Sequence, residues 1–324
     1  KLMNVLITGC AGFIGYHLCL SLLKDKKIQV FGIDNLNKEN DFKLKKTRLE
    51  NLKENKSFVF YKLDIKNKRK IYENFKKNKY QVVVHLAAKA GVRNSIYDPE
   101  NYFENNLKGF FNIIDASKDC DINNFIYAST SSVYGDGKST SSKEIDNTDQ
   151  PRSFYAATKK CNEVIAYSYS SIYKLPTVGL RFFTVYGPYG RPDMAIYKFV
   201  QLAYKNKKID LFNKGNHSRD FTYVDDIVKS IKKLIIKKPK KKNLYKVFNI
   251  SKNESINIRL LVGILEKTIN KKIIFNMMPI QKGDVKKTSG DNNLLFKEIN
   301  YKPVVKINDG IKRFIAWFKN YEIK

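Results

Sequence analysis

Asn4-Val5-Leu6-Ile7-Thr8-Gly9-Cys10-Ala11-Gly12-Phe13-Ile14-Gly15 stands near the start of the chain and decides its fold. Asn4 to Thr8 is short and apolar, as a buried strand is. Three glycines follow at a spacing of three, then an apolar helical run through Leu23, then a second strand, Gln29 to Ile33, ending on Asp34. Strand, glycine turn, helix, strand and terminal acid is the order of a dinucleotide-binding unit. The glycines permit a tight turn and close backbone approach to a pyrophosphate lying on the helix N-terminus. Gly-x-x-Gly-x-x-Gly is weak alone; its place after a strand, with Asp34 nineteen residues beyond Gly15, carries the reading. A carboxylate there takes both ribose hydroxyls and repels a 2′-phosphate, which favours NAD over NADP. The competing reading is a glycine-rich turn that binds nothing.

Working outward, Phe58–Asp64, Val82–Ala88, Asn124–Ser129 and Thr177–Phe183 read as strands and Asn101–Ser117 as a helix. Strands separated by helices predict an α/β fold with a doubly wound, Rossmann-type parallel sheet. Ala87 and Ala88 suit a strand end facing a flat cofactor, or simply tight packing. After Phe183 the turn-rich Gly187-Pro188-Tyr189-Gly190-Arg191-Pro192 opens a less regular mixture, expected to form a smaller mixed C-terminal substrate domain. The expected division is 3–177 for the dinucleotide-binding domain and 178–324 for the substrate domain. About 222–251, including a helix over Asp225–Ile236, is expected to pack back on the first. Lys1 and Leu2 read as an addition ahead of Met3.

The 324 residues are 43% hydrophobic, enough for a large core. No apolar stretch approaches the ~18 residues of a membrane span and no signal-peptide pattern opens the chain, so a cytoplasmic protein without a membrane partner is expected. Cys10, Cys19, Cys120 and Cys161 are scattered, and with only His17, His85 and His217 the sequence predicts reduced thiols and no metal site. The net charge of +30 invites a nucleic-acid reading. Such a site needs basic residues on one face interleaved with aromatics. Here lysines run through every segment, and the dense Lys229–Lys246 run has no aromatic before Tyr245, so no nucleic-acid partner is expected. The positive field suits an anionic small substrate.

Ser153-Phe154-Tyr155-Ala156-Ala157-Thr158-Lys159 precedes an apolar-periodic helical run, Cys161–Tyr173. A tyrosine and a lysine four apart share a helix face, and an ammonium beside a phenol favours the phenolate, a usable base. The spacing also occurs at Tyr72/Lys76, Tyr134/Lys138 and Tyr204/Lys208. Chance alone gives about three in so lysine-rich a chain, so a solvated pair is the ordinary reading. Tyr155 is set apart by its surroundings.

Gly9-x-x-Gly12-x-x-Gly15, Asp34, Asp64, His85-Leu86-Ala87-Ala88, Thr130 and Tyr155-x-x-x-Lys159 together resemble the extended short-chain dehydrogenase/reductases. Within them the chain resembles the nucleotide-sugar 4-epimerases, most closely the UDP-glucuronate 4-epimerases. That closer match runs through Ile33-Asp34-Asn35-Leu36-Asn37, Ser129-Thr130-Ser131-Ser132-Val133-Tyr134-Gly135, Gly190-Arg191-Pro192-Asp193-Met194 and Arg219-Asp220-Phe221-Thr222-Tyr223-Val224-Asp225-Asp226. The resemblance implies an isomerase with bound NAD and a UDP-sugar substrate, serving polysaccharide biosynthesis. It implies cofactor contacts from Gly9, Gly12, Phe13, Ile14, Gly15, Asp34, Asn35, Asn37, Asp64, Ile65, Ala87, Ala88, Tyr155 and Lys159. Tyr155 would be the base at the sugar 4-hydroxyl, Lys159 would hold the nicotinamide ribose and depress the Tyr155 pKa, and Thr130 would bond the same sugar oxygen. Ser131, Ser132, Thr184 and Arg191 would surround the C6 group, Arg219 the diphosphate, and Asp284 the uridine ribose. Gln281 stands where galactose-type relatives tend to carry a second phosphate-binding arginine. The segments 136–151 and 38–42 diverge and receive no role.

Rival chemistries share the fold. Dehydratases and uronate decarboxylases of this type carry acidic residues beside the threonine, where Ser131 and Ser132 are poor acids or bases. A UDP-N-acetylhexosamine or UDP-glucose 4-epimerase, and a regulatory module that binds NAD without turnover, are the other readings. The family commonly pairs as a homodimer through two helices, here Asn101–Ser117 and Tyr155–Tyr173; their apolar faces equally suit core packing.

Overall fold

The computed structural model describes residues 2–38, 41–120, 122–136, 141–237, 239, 242–280 and 285–323. Its first half alternates as expected: β1 (Met3–Thr8), α1 (Phe13–Leu23), β2 (Ile28–Asp34), α2 (Phe42–Lys53), β3 (Phe58–Lys62), α3 (Lys68–Asn78) and β4 (Val82–His85). Two single-turn helices, α4 (Asn94–Tyr97) and α5 (Pro99–Tyr102), lead into α6 (Gly109–Lys118), β5 (Asn124–Thr130), α7 (Phe154–Tyr173) and β6 (Thr177–Phe182). Beyond lie β7 (Thr184–Tyr186), α8 (Ala195–Tyr204), β8 (Ile209–Phe212), β9 (Ser218–Tyr223), α9 (Val224–Ile236), β10 (Tyr245–Ile250) and β11 (Ser255–Asn257). The chain closes with α10 (Ile258–Ile269), β12 (Phe275–Met278), α11 (Asn293–Ile299) and α12 (Ile307–Glu322).

Seven strands form one sheet in the order β10-β6-β5-β4-β1-β2-β3, every pair parallel. The order reverses between β1 and β4, and such a switch point opens a ligand crevice at the carboxyl ends of the strands. Val5, Ile7, Val30, Val82 and Val84 are buried with Leu18, Cys19 and Leu22 of α1 on one side of the sheet. Leu6, Val83 and Phe125 meet Ile113 and Ile114 of α6 on the other. Both faces are covered, which is why these strands read as continuous apolar runs. The smaller sheets, β11-β9-β7 and β12-β8, pack with α8, α10 and α12 around a second core.

Several expected boundaries move. β6 pairs with β5 and β10, so residues 178–182, assigned above to the substrate domain, are strands of the large sheet. α9 shares the first core through Ile227, Val228 and Ile231, and so do Leu295 and Ile299 of α11. β4 ends at His85, not Ala88: Leu86 N–H makes the last ladder bond, to the Thr8 carbonyl at 3.1 Å, and Ala87 N–H then goes to the Thr8 side chain at 3.2 Å. β3 likewise stops at Lys62, leaving Asp64 in the following turn.

The helix expected over Asn101–Ser117 is interrupted by a wide π-type turn, Phe103–Lys108. Its Asn106 is buried, gives its amide to the Lys89 carbonyl at 3.0 Å and the Thr158 hydroxyl at 3.1 Å, and accepts from Lys89 N–H at 2.8 Å. A π-turn of this kind marks functional sites, and this one ties the segment after β4 to α7. α7 itself starts at Phe154, seven residues before the apolar run, because the Ser153 hydroxyl caps it by accepting from Ala156 N–H at 3.1 Å. Tyr155 therefore sits in its first turn, where the helix dipole favours an anion.

Candidate active site

The glycine loop crosses the switch point between β1 and β4. Gly9 has φ +72°, and a Cβ there would stand 2.8 Å from Ala87 N, so only glycine fits. Gly15 lets α1 lie against the Gly9 carbonyl, which a Cβ would strike. Gly12 caps α1 with no side chain over it. Phe13 and Ile14 begin that helix, Phe13 buried and Ile14 partly so. Asp34 ends β2, 6% exposed, its two carboxylate oxygens accepting from Ala11 N–H at 3.1 Å and Leu36 N–H at 2.9 Å. Burial pushes that carboxyl up, while the Leu36 N–H, Lys45 and the Ala11 N–H draw it back.

Around this pocket Asn35 donates to Asp64 at 3.2 Å, and the Asn35 side chain accepts from Asn37 N–H at 3.1 Å. The Lys45 ammonium donates to the Asn37 side-chain Oδ1. Ile65 is buried and its carbonyl accepts from Asn112 at 2.9 Å. Ala87 N–H donates to the Thr8 hydroxyl at 3.2 Å, and that hydroxyl bonds His85 Nδ1 at 2.8 Å. The glycine loop thus meets Asp34 through Ala11 and Ala87 through Gly9 at an amide-rich helix start, with Ala88 half-buried beyond, and this cradle fits a dinucleotide.

The catalytic candidates meet at the ends of β5 and α7. Tyr155 hydrogen-bonds Thr130. Thr130 donates to the Ser132 hydroxyl and accepts from Ser132 N–H, both at 3.2 Å. Ser131 opens the same single turn of 3-10 helix, Ser131–Tyr134. Burial raises the Tyr155 pKa, and the Thr130 hydrogen bond and the Arg191 cation pull it down. Lys159 is not among those groups, contrary to the expectation from the four-residue spacing. Its ammonium turns to the sheet and donates to the Ala128 carbonyl at 3.0 Å. Burial pushes its own pKa down to about 8.

Arg191 and Thr184 line one cavity with Met194, Tyr197 and Phe221. Arg191 grips Asp193 through Nε at 3.0 Å and Nη2 at 2.6 Å. Among the described residues Nη1 has no hydrogen-bond partner, so that edge of the fork remains for a second acceptor. Arg219 lies on β9, opposite Ile256, and donates to the Ser218 carbonyl at 3.0 Å. Gln281 and Asp284 lie outside the described residues.

Sequence reasoning missed several supports. Tyr102 sets its ring edge-on to Tyr155, centroids 6.2 Å apart, and donates to the Gly91 carbonyl at 2.9 Å. Glu163, one turn beyond Lys159, is buried and takes Arg181 bidentately at 2.9 and 2.7 Å, with Ser129 donating at 2.6 Å. Burial opposes the Arg181 charge, yet Glu163 holds its pKa above the ordinary range. A partial signal existed: in so lysine-rich a chain the few arginines include Arg48, Arg181 and Arg191, whose planar forks each meet more than one acceptor, although Arg69 is an exposed surface residue.

His85, beneath the crevice, is 2% exposed, and burial with the Lys159 charge pushes its pKa down to about 3. Against an unfolded value near about 6.5, the unfolded chain binds the extra proton between those limits. Stability from this group is complete above pH ~6.5 and falls as pH drops toward ~3. His85→Gln should lose about 2 kcal/mol less than the parent between pH 7.5 and 5 in urea titrations. Superimposable acid limbs would refute it.

A parallel sheet with a glycine loop at its switch point and a tyrosine–lysine pair over the crevice defines a dinucleotide-dependent enzyme of the short-chain type. The chain belongs to the NAD dependent epimerase/dehydratase family, whose model matches residues 5–251. It is 44% identical to Protein CapI of Staphylococcus aureus, over 98% of this chain and 99% of that protein. It is 40% identical to a UDP-glucuronate 4-epimerase of Thermodesulfobacterium geofontis, over 97% and 95% respectively. Among solved structures, UDP-glucuronic acid 4-epimerase from Bacillus cereus, in complex with UDP-glucuronic acid and NAD, superposes with a TM-score of 0.92. That enzyme is 34% identical, with 98% of this chain and 99% of the other covered.

Proposed function

We propose that this chain is an NAD-dependent UDP-glucuronate 4-epimerase, interconverting UDP-glucuronate and UDP-galacturonate. The observation that supports it is that Tyr155 hydrogen-bonds Thr130 while the Arg191 cation, which lines a cavity with Thr184, lowers the phenol: a proton acceptor lies within the field of a cation that suits a carboxylate. Bound NAD supplies reversible oxidation at the sugar C4. Tyr155 takes the proton of the 4-hydroxyl and later returns it, Thr130 orients that oxygen, and Lys159 holds a positive edge beside the pocket. The 4-keto sugar turns over between the two half-reactions. Ser131, Ser132, Thr184 and the open edge of Arg191 receive the C6 carboxylate. The absence of an acidic side chain at 131 and 132 speaks against dehydration.

In the same reading the seven-stranded layer holds NAD, with Asp34 on the adenosine ribose and Asn35, Asn37, Asp64 and Ile65 around the adenine side. The smaller sheets hold the UDP-sugar, with Arg219 and Gln281 toward the diphosphate and Asp284 toward the uridine ribose. Free thiols at Cys10, Cys19, Cys120 and Cys161 suit a reducing cytoplasm, and the product suits uronate-containing polysaccharide biosynthesis. The test has two parts. Denatured protein should release NAD(H), and the native protein should convert UDP-glucuronate to UDP-galacturonate by NMR. Mainly NADP(H), or preference for UDP-glucose or UDP-N-acetylglucosamine, overturns the reading.

Assembly belongs to this proposal too. Phe103 and Phe111, on the segment leading into and through α6, and Val164 and Ile172 on α7 are exposed, 57% for Val164 and 65% for Ile172. Apolar side chains on two adjacent helices favour burial against a second copy. Light scattering should give a dimer for the parent and a monomer for Val164→Asp/Ile172→Asp; a monomeric parent removes the dimer.

A further inference from the structure

Helix α2 carries an arginine that the proposed chemistry does not use. Arg48 is 0% exposed, while Lys43 and Lys46 on the same helix are exposed. Its Nη1 donates to the Ala11 carbonyl of the glycine loop at 3.0 Å and to Asp41 at 3.1 Å. Its Nη2 donates to the Tyr189 carbonyl at 2.7 Å and reaches the Gly190 carbonyl at 3.4 Å. Nε is buried with no partner among the described residues. As a stabilising device this is poor: a buried cation with an unmade hydrogen bond is often matched or bettered by an apolar isostere. A fork that spans two loops is what a guanidinium alone provides.

The loop it holds needs holding. Tyr189 adopts φ +55° without being glycine, a conformation that persists only when its surroundings impose it. Pro188 O bonds His17 Nε2 of α1 at 2.8 Å, and the Tyr189 ring packs on Tyr16 and Trp317 at 5.0 and 4.9 Å. Three successive carbonyls, of Pro188, Tyr189 and Gly190, are therefore pinned from α1 and α2. The next residue is Arg191.

We propose that Arg48 is a positioning residue that sets Arg191 at the sugar carboxylate, by fixing the Tyr189–Gly190 backbone against the glycine loop at Ala11. This rests on the assignment of Arg191 to the carboxylate. The same guanidinium touches the cofactor cradle and the substrate loop, so the carboxylate grip is measured from the surface on which the dinucleotide lies. A shift of about 1 Å in such a group costs up to about a hundredfold in rate.

The test is a double-mutant cycle of Arg48→Met and Arg191→Ala, read as kcat/KM for UDP-glucuronate, the UDP-pentose fraction, UDP affinity and NAD(H) content. Arg48→Met should lower kcat/KM about tenfold and raise the pentose fraction, leaving NAD(H) content and the affinity for UDP, which has no carboxylate, within about twofold. In the Arg191→Ala background the same change should cost less than about twofold. Arg48→Lys, keeping charge but reaching fewer carbonyls, should fall between, and it runs the same cycle should Arg48→Met not fold. Multiplying losses, or equal loss of UDP affinity and NAD(H), overturn the proposal while leaving Arg191 assigned. A neutral Arg191→Ala removes the carboxylate assignment and this proposal with it.

Discussion

Tyr155→Phe should keep the fold and bound NAD(H) and lose at least about a hundredfold in turnover of UDP-glucuronate. The ring remains in the first turn of α7, edge-on to Tyr102, and only the hydroxyl is gone. Thr130 keeps its hydrogen bonds to Ser132, so no buried group is orphaned by the change. The loss should therefore appear in kcat with little change in stability. The parent rate should also rise with pH as the phenol ionises. Its pKa is raised by burial and drawn back by Thr130 and Arg191, so Arg191→Ala should move that limb to higher pH. Near-parental turnover by the phenylalanine variant would remove Tyr155 as the base.

Arg191→Ala should cost about a hundredfold in kcat/KM and divert product toward a UDP-pentose. Oxidation at C4 turns the hexuronate into a β-keto acid. When its C5–C6 bond stands perpendicular to the ketone plane, that bond breaks, carbon dioxide leaves, and the electron pair becomes an enolate that takes a proton at C5; the resulting 4-keto pentose becomes the UDP-pentose when the hydride removed from C4 is returned there. In the proposed site, donors from Arg191, Ser131, Ser132 and Thr184 would hold the carboxylate as a localised charge, which the decarboxylating transition state must disperse. Asp193 already occupies one edge of the Arg191 fork, so the guanidinium is oriented before the substrate arrives. Chromatography of the nucleotide sugars formed by the variant decides the matter. An unchanged epimer-to-pentose ratio with parental kcat/KM would reject the carboxylate role.

The two findings that most altered the sequence reading concern the partners of charged groups. The four-residue spacing places Tyr155 and Lys159 on one face of α7, yet the cation that lowers the phenol comes from Arg191, thirty-six residues further on. Lys159 instead finds the Ala128 carbonyl, because burial leaves its ammonium no water and β5 presents an acceptor at 3.0 Å. Arg48 lies between β2 and β3, in a segment for which the sequence suggested neither an element nor a role.

What the sequence by itself determined is what contiguous residues control. Gly9, Gly12 and Gly15 dictate the turn at the switch point, Asp34 ends β2, and the run of apolar strands implies a parallel sheet covered on both faces. Backbone geometry and the period of burial are local, so they are written locally. Only the tertiary structure decided that β10 returns to extend the large sheet, that a π-turn delivers Asn106 to Lys89 and Thr158, and that Arg48 spans Ala11 and Tyr189. Those contacts join positions up to 141 residues apart. A buried polar group must find its partner wherever packing brings a complementary atom, and no spacing along the chain encodes that meeting.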